Sequence, residues 1–328
     1  PPQAHLHDLG PYQVAPFVVS WTGSDNCGGI QSYDVQRKIG SGAWEDWLIA
    51  TSSTSATFVP PNPPQYGQTY SFQVRARDQS SNLSTWSQGS TTLARYAVSG
   101  HVYNVRHEPV IGALISLAPT AAHVEQQCGE FKAYLMAGGD YDLQASRDDR
   151  FGTLPPMQLA VSDNVDGLEL VLPPQAGEDA VSDGGFEEGS LSAWQVGGTR
   201  PPELISPGHT GEQAVLMGST GHSWVLSQTL TVPSTLTNAT LSFLVRLDDS
   251  EGADSEIDVE LVGTPISHTQ VVSSGAWSHV WFPVEATVGQ TVTLQFAVSD
   301  NVAVRLDEVS LGSALSGGGC TYMPIISR

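Results

Sequence analysis

Positive charge is what this chain has least of. Thirteen Lys and Arg side chains face 34 Asp and Glu, giving a net charge of −21 over 328 residues, and only Lys38 and Lys132 are lysines. Such a field repels phosphate backbones and anionic bilayers, which excludes nucleic acid as a partner, whereas it tolerates bound divalent cations. Long apolar runs are missing as well. None reaches the roughly 18 residues of a spanning helix, so no membrane span is expected. No secretory leader is present, and the opening Pro-Pro-Gln, without an initiator Met, reads as a mature or excised fragment. Cysteine is scarce: Cys27, Cys128 and Cys320 stand far apart and form no CxxC pair, which argues against zinc-knuckle and thioredoxin-like chemistry. An odd number leaves at least one thiol unpaired within the chain, either free or bonded to another subunit. HExxH, GxSxG, P-loop and GxGxxG motifs are absent, and no local context makes any Ser a nucleophile, so the chain is read as a non-enzyme.

What is present is a core and many turns. Hydrophobic residues make up 40% and charged residues only 14%, with Ser, Thr, Gly and Pro filling the gap. That balance suits short strands joined by turns, and the length suits two or three domains. The expected fold is all-β: three tandem β-sandwich domains and a short C-terminal strand. Residues 1–10 are taken as a mobile N-terminal extension in which His5 and His7 hold nothing. Over 11–96, Phe17-Val-Val-Ser-Trp21 and Ser32-Tyr-Asp-Val-Gln36 alternate like strands. Thr69 to Arg77 places Tyr70, Phe72, Val74 and Ala76 on one face and Ser71, Gln73, Arg75 and Arg77 on the other. With Trp21, the Ser32–Gln36 run and Gly67 to Asp78, this segment resembles a fibronectin type III domain, Tyr70 standing where that fold puts its corner tyrosine. Trp44, Trp47 and Trp86 are expected to pack.

Over 97–174 the order is Val98-Ser-Gly-His-Val, Pro109-Val-Ile-Gly-Ala, Gly129-Glu-Phe and Gly139-Asp-Tyr-Asp-Leu. It resembles a carboxypeptidase-regulatory or transthyretin-like domain. That family carries an acidic turn where this chain has Gln126-Gln-Cys128, so no role tied to the turn is carried over. Pro173 to Asp179 reads as a linker. Over 175–313, Asp183-Gly-Gly-Phe-Glu-Glu-Gly189 followed by Trp194, His209-Thr-Gly-Glu-Gln-Ala214, and Val304-Arg-Leu-Asp-Glu-Val-Ser-Leu311 resemble the jelly-roll carbohydrate-binding modules and their galactose-binding-like relatives. Residues 314–328 read as a glycine hinge, Ser316 to Gly319, leading to a terminal strand; similar endings close many large bacterial surface proteins.

The jelly-roll resemblance implies a structural Ca²⁺. In those modules a Glu after the first-strand Gly-Phe meets an Asp of the last strand at one edge, and the matching residues are Glu187 and Asp307. Carbonyls near His209 to Glu212 would complete the six to eight hard oxygens that Ca²⁺ takes. The alternative is that both are ordinary polar edge residues. Asp248 to Asp258 lacks EF-hand spacing and reads as a solvated loop. Sugar-binding modules stack rings on exposed aromatics, which singles out Trp224, Trp277 and Trp281, while Trp194 is expected in the core. Trp277 and Trp281 are placed on one strand face, a spacing that also serves a core, with His279 opposite. Asn82-Leu-Ser and Asn238-Ala-Thr are sequons, meaningful where the secretory route glycosylates. In the tail, Tyr322, Met323, Ile325 and Ile326 are candidates to add a strand to a neighbour's sheet edge, with Cys320 locking the join.

The reading is therefore a secreted, non-catalytic structural or adhesive cell-surface protein, self-assembling into a filament or layer through its terminal strand. Its partners would be copies of itself or other cell-surface proteins. The alternative is the glycan-binding accessory region, with polysaccharide as partner, of a larger secreted glycoside hydrolase or protease.

Overall fold

The computed structural model describes residues 1–26, 28–148, 150–219, 221–248, 254–299 and 302–319. Its buried apolar side chains fall into three separate clusters, one per sandwich. Among the described residues no helix is long and apolar enough to cross a membrane.

The first domain holds β1 (Gln3–Leu6), β2 (Tyr12–Val14), β3 (Phe17–Ser24), β4 (Ile30–Ile39), β5 (Glu45–Thr51), β6 (Ser55–Phe58), β7 (Thr69–Asp78) and β8 (Ser87–Ala94). Two sheets, β1-β3-β6 and β2-β8-β7-β4-β5, face each other. Between them lie Trp21, Val35, Phe58, Tyr70, Phe72, Val74 and Ala76, the inward side chains of β3, β4, β6 and β7. The Tyr70 hydroxyl accepts the Gln65 amide at 3.3 Å, tying the 59–68 loop to the sandwich. Residues 1–10 are not an extension. Gln3–Leu6 pairs with β3, and Leu6 and Leu9 join the core.

One residue, Arg95, separates β8 from the middle domain. That domain comprises β9 (Tyr96–Tyr103), β10 (Leu114–Ala118), β11 (His123–Gln127), β12 (Glu130–Leu135), β13 (Gly139–Ser146), β14 (Met157–Val161) and β15 (Val165–Val171). Its sheets are β11-β12-β9-β15 and β10-β13-β14. Tyr12 of the first domain stacks on His123 and Tyr134, with centroids 4.5 and 5.4 Å away, and Arg95 donates its amide to Leu135 O at 2.8 Å.

The third domain has β16 (Gln195–Gly198), β17 (Glu203–Ile205), β18 (Ala214–Met217), β19 (Ser223–Thr231), β20 (Ala239–Leu247), β21 (Ser255–Val262), β22 (Ser267–Val272), β23 (Ser278–Pro283), β24 (Thr291–Ser299) and β25 (Val304–Ser313). They form two five-stranded sheets, β16-β19-β24-β21-β22 and β17-β18-β25-β20-β23. Phe186, Trp194, Trp224, Phe243 and Phe296 fill the space between.

The outer face of β20 is buried although it is largely polar: Thr240, Ser242 and Leu244 are all closed off from solvent. The middle domain covers it. Arg106 donates to Thr240 Oγ1 at 2.8 Å and to Glu285 Oε1 at 2.6 Å, and the His107 and His279 Nδ1 atoms meet at 3.2 Å. After β25 the chain turns back onto the middle domain. Asn104 donates to Leu315 O at 2.8 Å, Ile111 donates its amide to Gly317 O at 2.9 Å, and Arg147 also bonds Gly317 O. The expected free hinge is thus strapped down as far as Gly317.

The linker is likewise fixed. Asp179 Oδ1 accepts the amides of Val181 and Leu311, both at 3.0 Å. Burial pushes its carboxyl up to about 6 in spite of those two donors. An acid whose folded value is raised binds more protons folded than unfolded between about pH 4 and 6, so its favourable contribution is complete below about pH 4 and lost as pH rises through 6. Asn keeps the Oδ1 acceptor and removes the buried charge. Asp179→Asn is therefore expected to raise Tm by a few degrees at pH 7.5, on the order of 1 kcal/mol, and to leave it unchanged at pH 4, as read by calorimetry at both pH values.

Candidate functional site

The chemistry collects where β25 passes the 183–189 segment and the 207–213 loop. Strand alternation would send Asp307 and Glu308 to opposite faces. The ladder with β20 slips between Leu244 and Ser242, and Glu308 takes a positive φ of 50°. This bulge turns both carboxylates toward one loop. Asp307 Oδ2 accepts the His209 amide at 2.7 Å, and Glu308 Oε1 takes His209 Nδ1 and Thr210 Oγ1, each at 2.7 Å.

The segment read as a first strand runs instead as successive turns. Gly184 lies so close to β25 that a Cβ there would sit 1.8 Å from Val309 O. That approach delivers Glu187, whose carboxylate accepts the amides of Glu212 at 3.0 Å and Gln213 at 2.8 Å. On the loop, a Cβ at Gly208 would meet Gln213 O at 2.4 Å, Thr210 O at 2.8 Å and Asp307 Oδ2 at 2.9 Å. Two main-chain carbonyls and a buried carboxylate therefore converge beside a residue that has no side chain.

Electrostatically the place is short of positive charge. Among the described residues neither Glu187 nor Asp307 has an ion-pair partner. Burial, and then the neighbouring Glu308 carboxylate, push the Asp307 carboxyl well above the usual range. Burial also raises Asp183. The buried Asp183 Oδ2, Gln213 Oε1 and Glu308 Oε2 have no hydrogen-bond partner among the described residues. Among the described residues no three His, Cys, Asp or Glu side chains form a metal-holding group, so any cation would depend on the Thr210 and Gln213 carbonyls beside Glu187 and Asp307. An all-oxygen, anionic donor set with unpartnered oxygens beside it fits a hard divalent ion such as Ca²⁺. A cavity of about 250 Å³ adjoins it, walled by Asp179, Asp183, Glu187 and Glu308 on one side and by Leu154 and Pro155 of the middle domain on the other.

The aromatic candidates separate. Trp194 is in the core as expected, its Nε1 donating to Asp183 O at 3.1 Å. Trp224 is also in the core, 2% exposed, because it alternates inward on β19 with Leu226; it cannot be a sugar platform. Trp277 and Trp281 lie outside the core cluster. His279 shares their face rather than opposing it, as two-residue spacing requires. Trp277 is half-buried under Arg246, 5.0 Å from its ring, and Trp281 is 39% exposed. Of the acidic stretch 248–258, residues 249–253 lie outside the described residues, as do Cys27, Cys320, Tyr322, Met323, Ile325 and Ile326.

Ser242 Oγ stands 2.9 Å from His279 Nε2. This pair lacks the makings of a nucleophile: Ser242 is buried, the other ring nitrogen faces His107 rather than a carboxylate, and burial lowers His279 to about 3.

No protein-family model matches the chain, and no curated protein matches it. Several solved structures are similar to parts of it. A family 11 carbohydrate-binding module from Clostridium thermocellum, in complex with a β-1,3-1,4-mixed-linked tetrasaccharide, is 13% identical with a TM-score of 0.29, covering 42% of this chain and 97% of that one. A family 16 carbohydrate-binding module is 14% identical with a TM-score of 0.31, covering 40% and 98%. The family 22 module and catalytic module of xylanase 10B from Clostridium thermocellum, complexed with xylohexaose, are 15% identical with a TM-score of 0.30, covering 42% and 29%. Likeness at this level carries no ligand over to the present chain.

Gly184→Ala is expected to destabilise the third domain by about 3 kcal/mol, because its methyl would occupy the place of Val309 O. Thermal unfolding measured against wild type checks this.

Proposed function

We propose that this chain is a non-catalytic extracellular structural and adhesive protein whose sandwich domains are held in fixed register by polar interfaces. The observation that carries the reading is the buried polar face of β20, where Arg106 of the middle domain donates to Thr240 and His107 meets the His279 ring that bonds Ser242. Domains meant to swing on linkers do not bury hydroxyls against one another. In this reading 11–96, with β1 added, is a fibronectin type III-like domain. Residues 97–174 form a carboxypeptidase-regulatory or transthyretin-like domain, and 175–313 a jelly-roll carbohydrate-binding-module-like domain. The bond from Gln65 to the Tyr70 hydroxyl supports the first assignment. A disulfide at Cys128 supports an oxidising, extracellular setting. The chain associates with copies of itself or other surface proteins through Cys320, Tyr322, Met323, Ile325 and Ile326.

A structural Ca²⁺ at Glu187 and Asp307 belongs to the same proposal. The ion would neutralise the buried Asp307 and the exposed Glu187 carboxylates and close β25 onto the 183–189 turns and the 207–213 loop. The orphaned oxygens support it. Calcium added to chelator-treated protein is expected to raise Tm in a concentration-dependent way, on the order of 3 kcal/mol at a hundredfold excess over Kd. In Glu187→Gln/Asp307→Asn the response disappears, while the calcium-free protein is no less stable, because a buried unpaired charge has gone. An unchanged Tm on adding calcium to wild type would refute the site.

Assembly is tested by deleting 320–328, which spares the strap at Gly317. Sedimentation velocity and negative-stain imaging are expected to show oligomers with the full chain and monomers with the truncation; identical particle distributions rule out the terminal strand. The second reading, a glycan-binding accessory region, is favoured by one observation, the exposed Trp281 ring with the Arg106 guanidinium 6.0 Å from its centroid.

A further inference from the structure

The first domain presents an ordered polar face that neither reading above uses. On the outer side of β4, β7 and β8 the strand register sets side chains in rows. Lys38 lies opposite Ser71, and Ser71 opposite Ser90; the next row is Gln36, Gln73 and Gln88. The glutamines form a directed relay. Gln88 Nε2 donates to Gln73 Oε1 at 3.0 Å, Gln73 Nε2 to Gln36 Oε1 at 2.5 Å, and Gln36 Nε2 to Asp46 Oδ1 at 2.8 Å. A carboxylate only accepts, so Asp46 fixes which end of Gln36 it meets and through it the orientation of the other two amides. Each amide then has donor or acceptor capacity left over.

A tryptophan stands at each end of this lattice. Trp44, on the turn between β4 and β5, lies with its ring 4.9 Å from Lys38 Nζ. Unlike Trp47, it is not packed against the core cluster. Trp86 lies with its ring 4.6 Å from the Arg75 guanidinium, which Asp34 holds at 2.9 Å. The two cation rows are four residues apart along β4 and β7, about 14 Å. At the Lys38–Trp44 end lies a shallow groove of about 250 Å³ lined by Lys38, Trp44, Ser71, Gln88, Gly89 and Ser90, all from the first domain. Lys38 has no ion-pair partner among the described residues.

We infer that this face is a binding site for a neutral polysaccharide, with a sugar ring stacked on Trp44 and its hydroxyls taken by Lys38, Ser71, Gln88 and Ser90. A half-exposed indole beside fixed amides and hydroxyls, with no aliphatic side chain in the groove, matches a pyranose, which offers C–H faces and a rim of hydroxyls. A protein partner would call for an apolar centre, and a polyanion would meet the field of a chain carrying −21. The inference deepens the second, glycan-binding reading and moves its site from the third domain to the first; it is independent of the calcium proposal.

The full chain is tested by affinity electrophoresis and calorimetry on a panel of neutral and uronic-acid polysaccharides, alongside Trp44→Ala, Trp44→Phe, Gln88→Ala and Trp281→Ala. At least one neutral polysaccharide is expected to bind. Affinity should fall tenfold or more in Trp44→Ala, severalfold in Gln88→Ala and least in Trp44→Phe, with Trp281→Ala unchanged. Failure of every neutral polysaccharide to bind overturns the proposal, as does undiminished binding by Trp44→Ala. Loss in Trp281→Ala alone returns the site to the third domain and leaves the accessory reading standing. Binding confined to uronic-acid polymers and abolished by salt overturns it too.

Discussion

Burying a polar strand face is the constraint around which the molecule is organised. A hydroxyl removed from water without a partner costs a few kcal/mol, so Thr240 and Ser242 can be buried only where each finds one. Thr240 donates to Asn238 O and accepts from Arg106 of the middle domain, while Ser242 meets His279 of its own sheet, whose other ring nitrogen faces His107. Because Arg106 and His107 lie on the β9–β10 connection, they tie the middle domain to this face in one register, and the segment after β25 follows the same register back to Asn104 and Ile111. Domain order and domain geometry are thus one problem here, and hydrogen bonds are part of its solution.

The acidic composition has a local counterpart. Asp179, Asp183, Glu187, Asp307 and Glu308 gather on the same side of the third domain, held by main-chain amides and a histidine rather than by lysine or arginine. Backbone donors position carboxylates without neutralising them. An arrangement of that kind concentrates negative potential in a low-dielectric place and leaves its compensation to something outside the polypeptide.

Much of the architecture could be read from alternation. The inward set of β7 and the closing strand of the third domain lie where their period of two puts them, and Glu187 and Asp307 do come to one end of the third domain. Three kinds of information were hidden. Residues 1–10 offer only Leu6 and Leu9 as core signals, too few to mark a strand. The bulge at Glu308 adds one residue to the ladder, and nothing in Asp-Glu-Val announces that neighbouring carboxylates will turn the same way. Docking then inverts the usual rule that polar means exposed, because which domain covers a sheet is settled by tertiary contacts. The core place of Trp224 is legible, since Ser223, Val225 and Ser227 alternate against Trp224, Leu226 and Gln228, and the bulkier set belongs inside. The face of His279 is legible in the same way, from its two-residue offset to Trp277 and Trp281.

The return of the chain to Gly317 gives the third domain both its entry and its exit on the middle domain. Entry is pinned where Gly152 donates its amide to Pro173 O, and exit where Ile111 and Arg147 hold Gly317. A pull on the C-terminal segment would therefore be borne first by these hydrogen bonds to the middle domain, while the jelly roll sits in a slack side-loop of the force path. Mechanical tension between the two ends of the chain would bypass the largest domain until that clasp gives way.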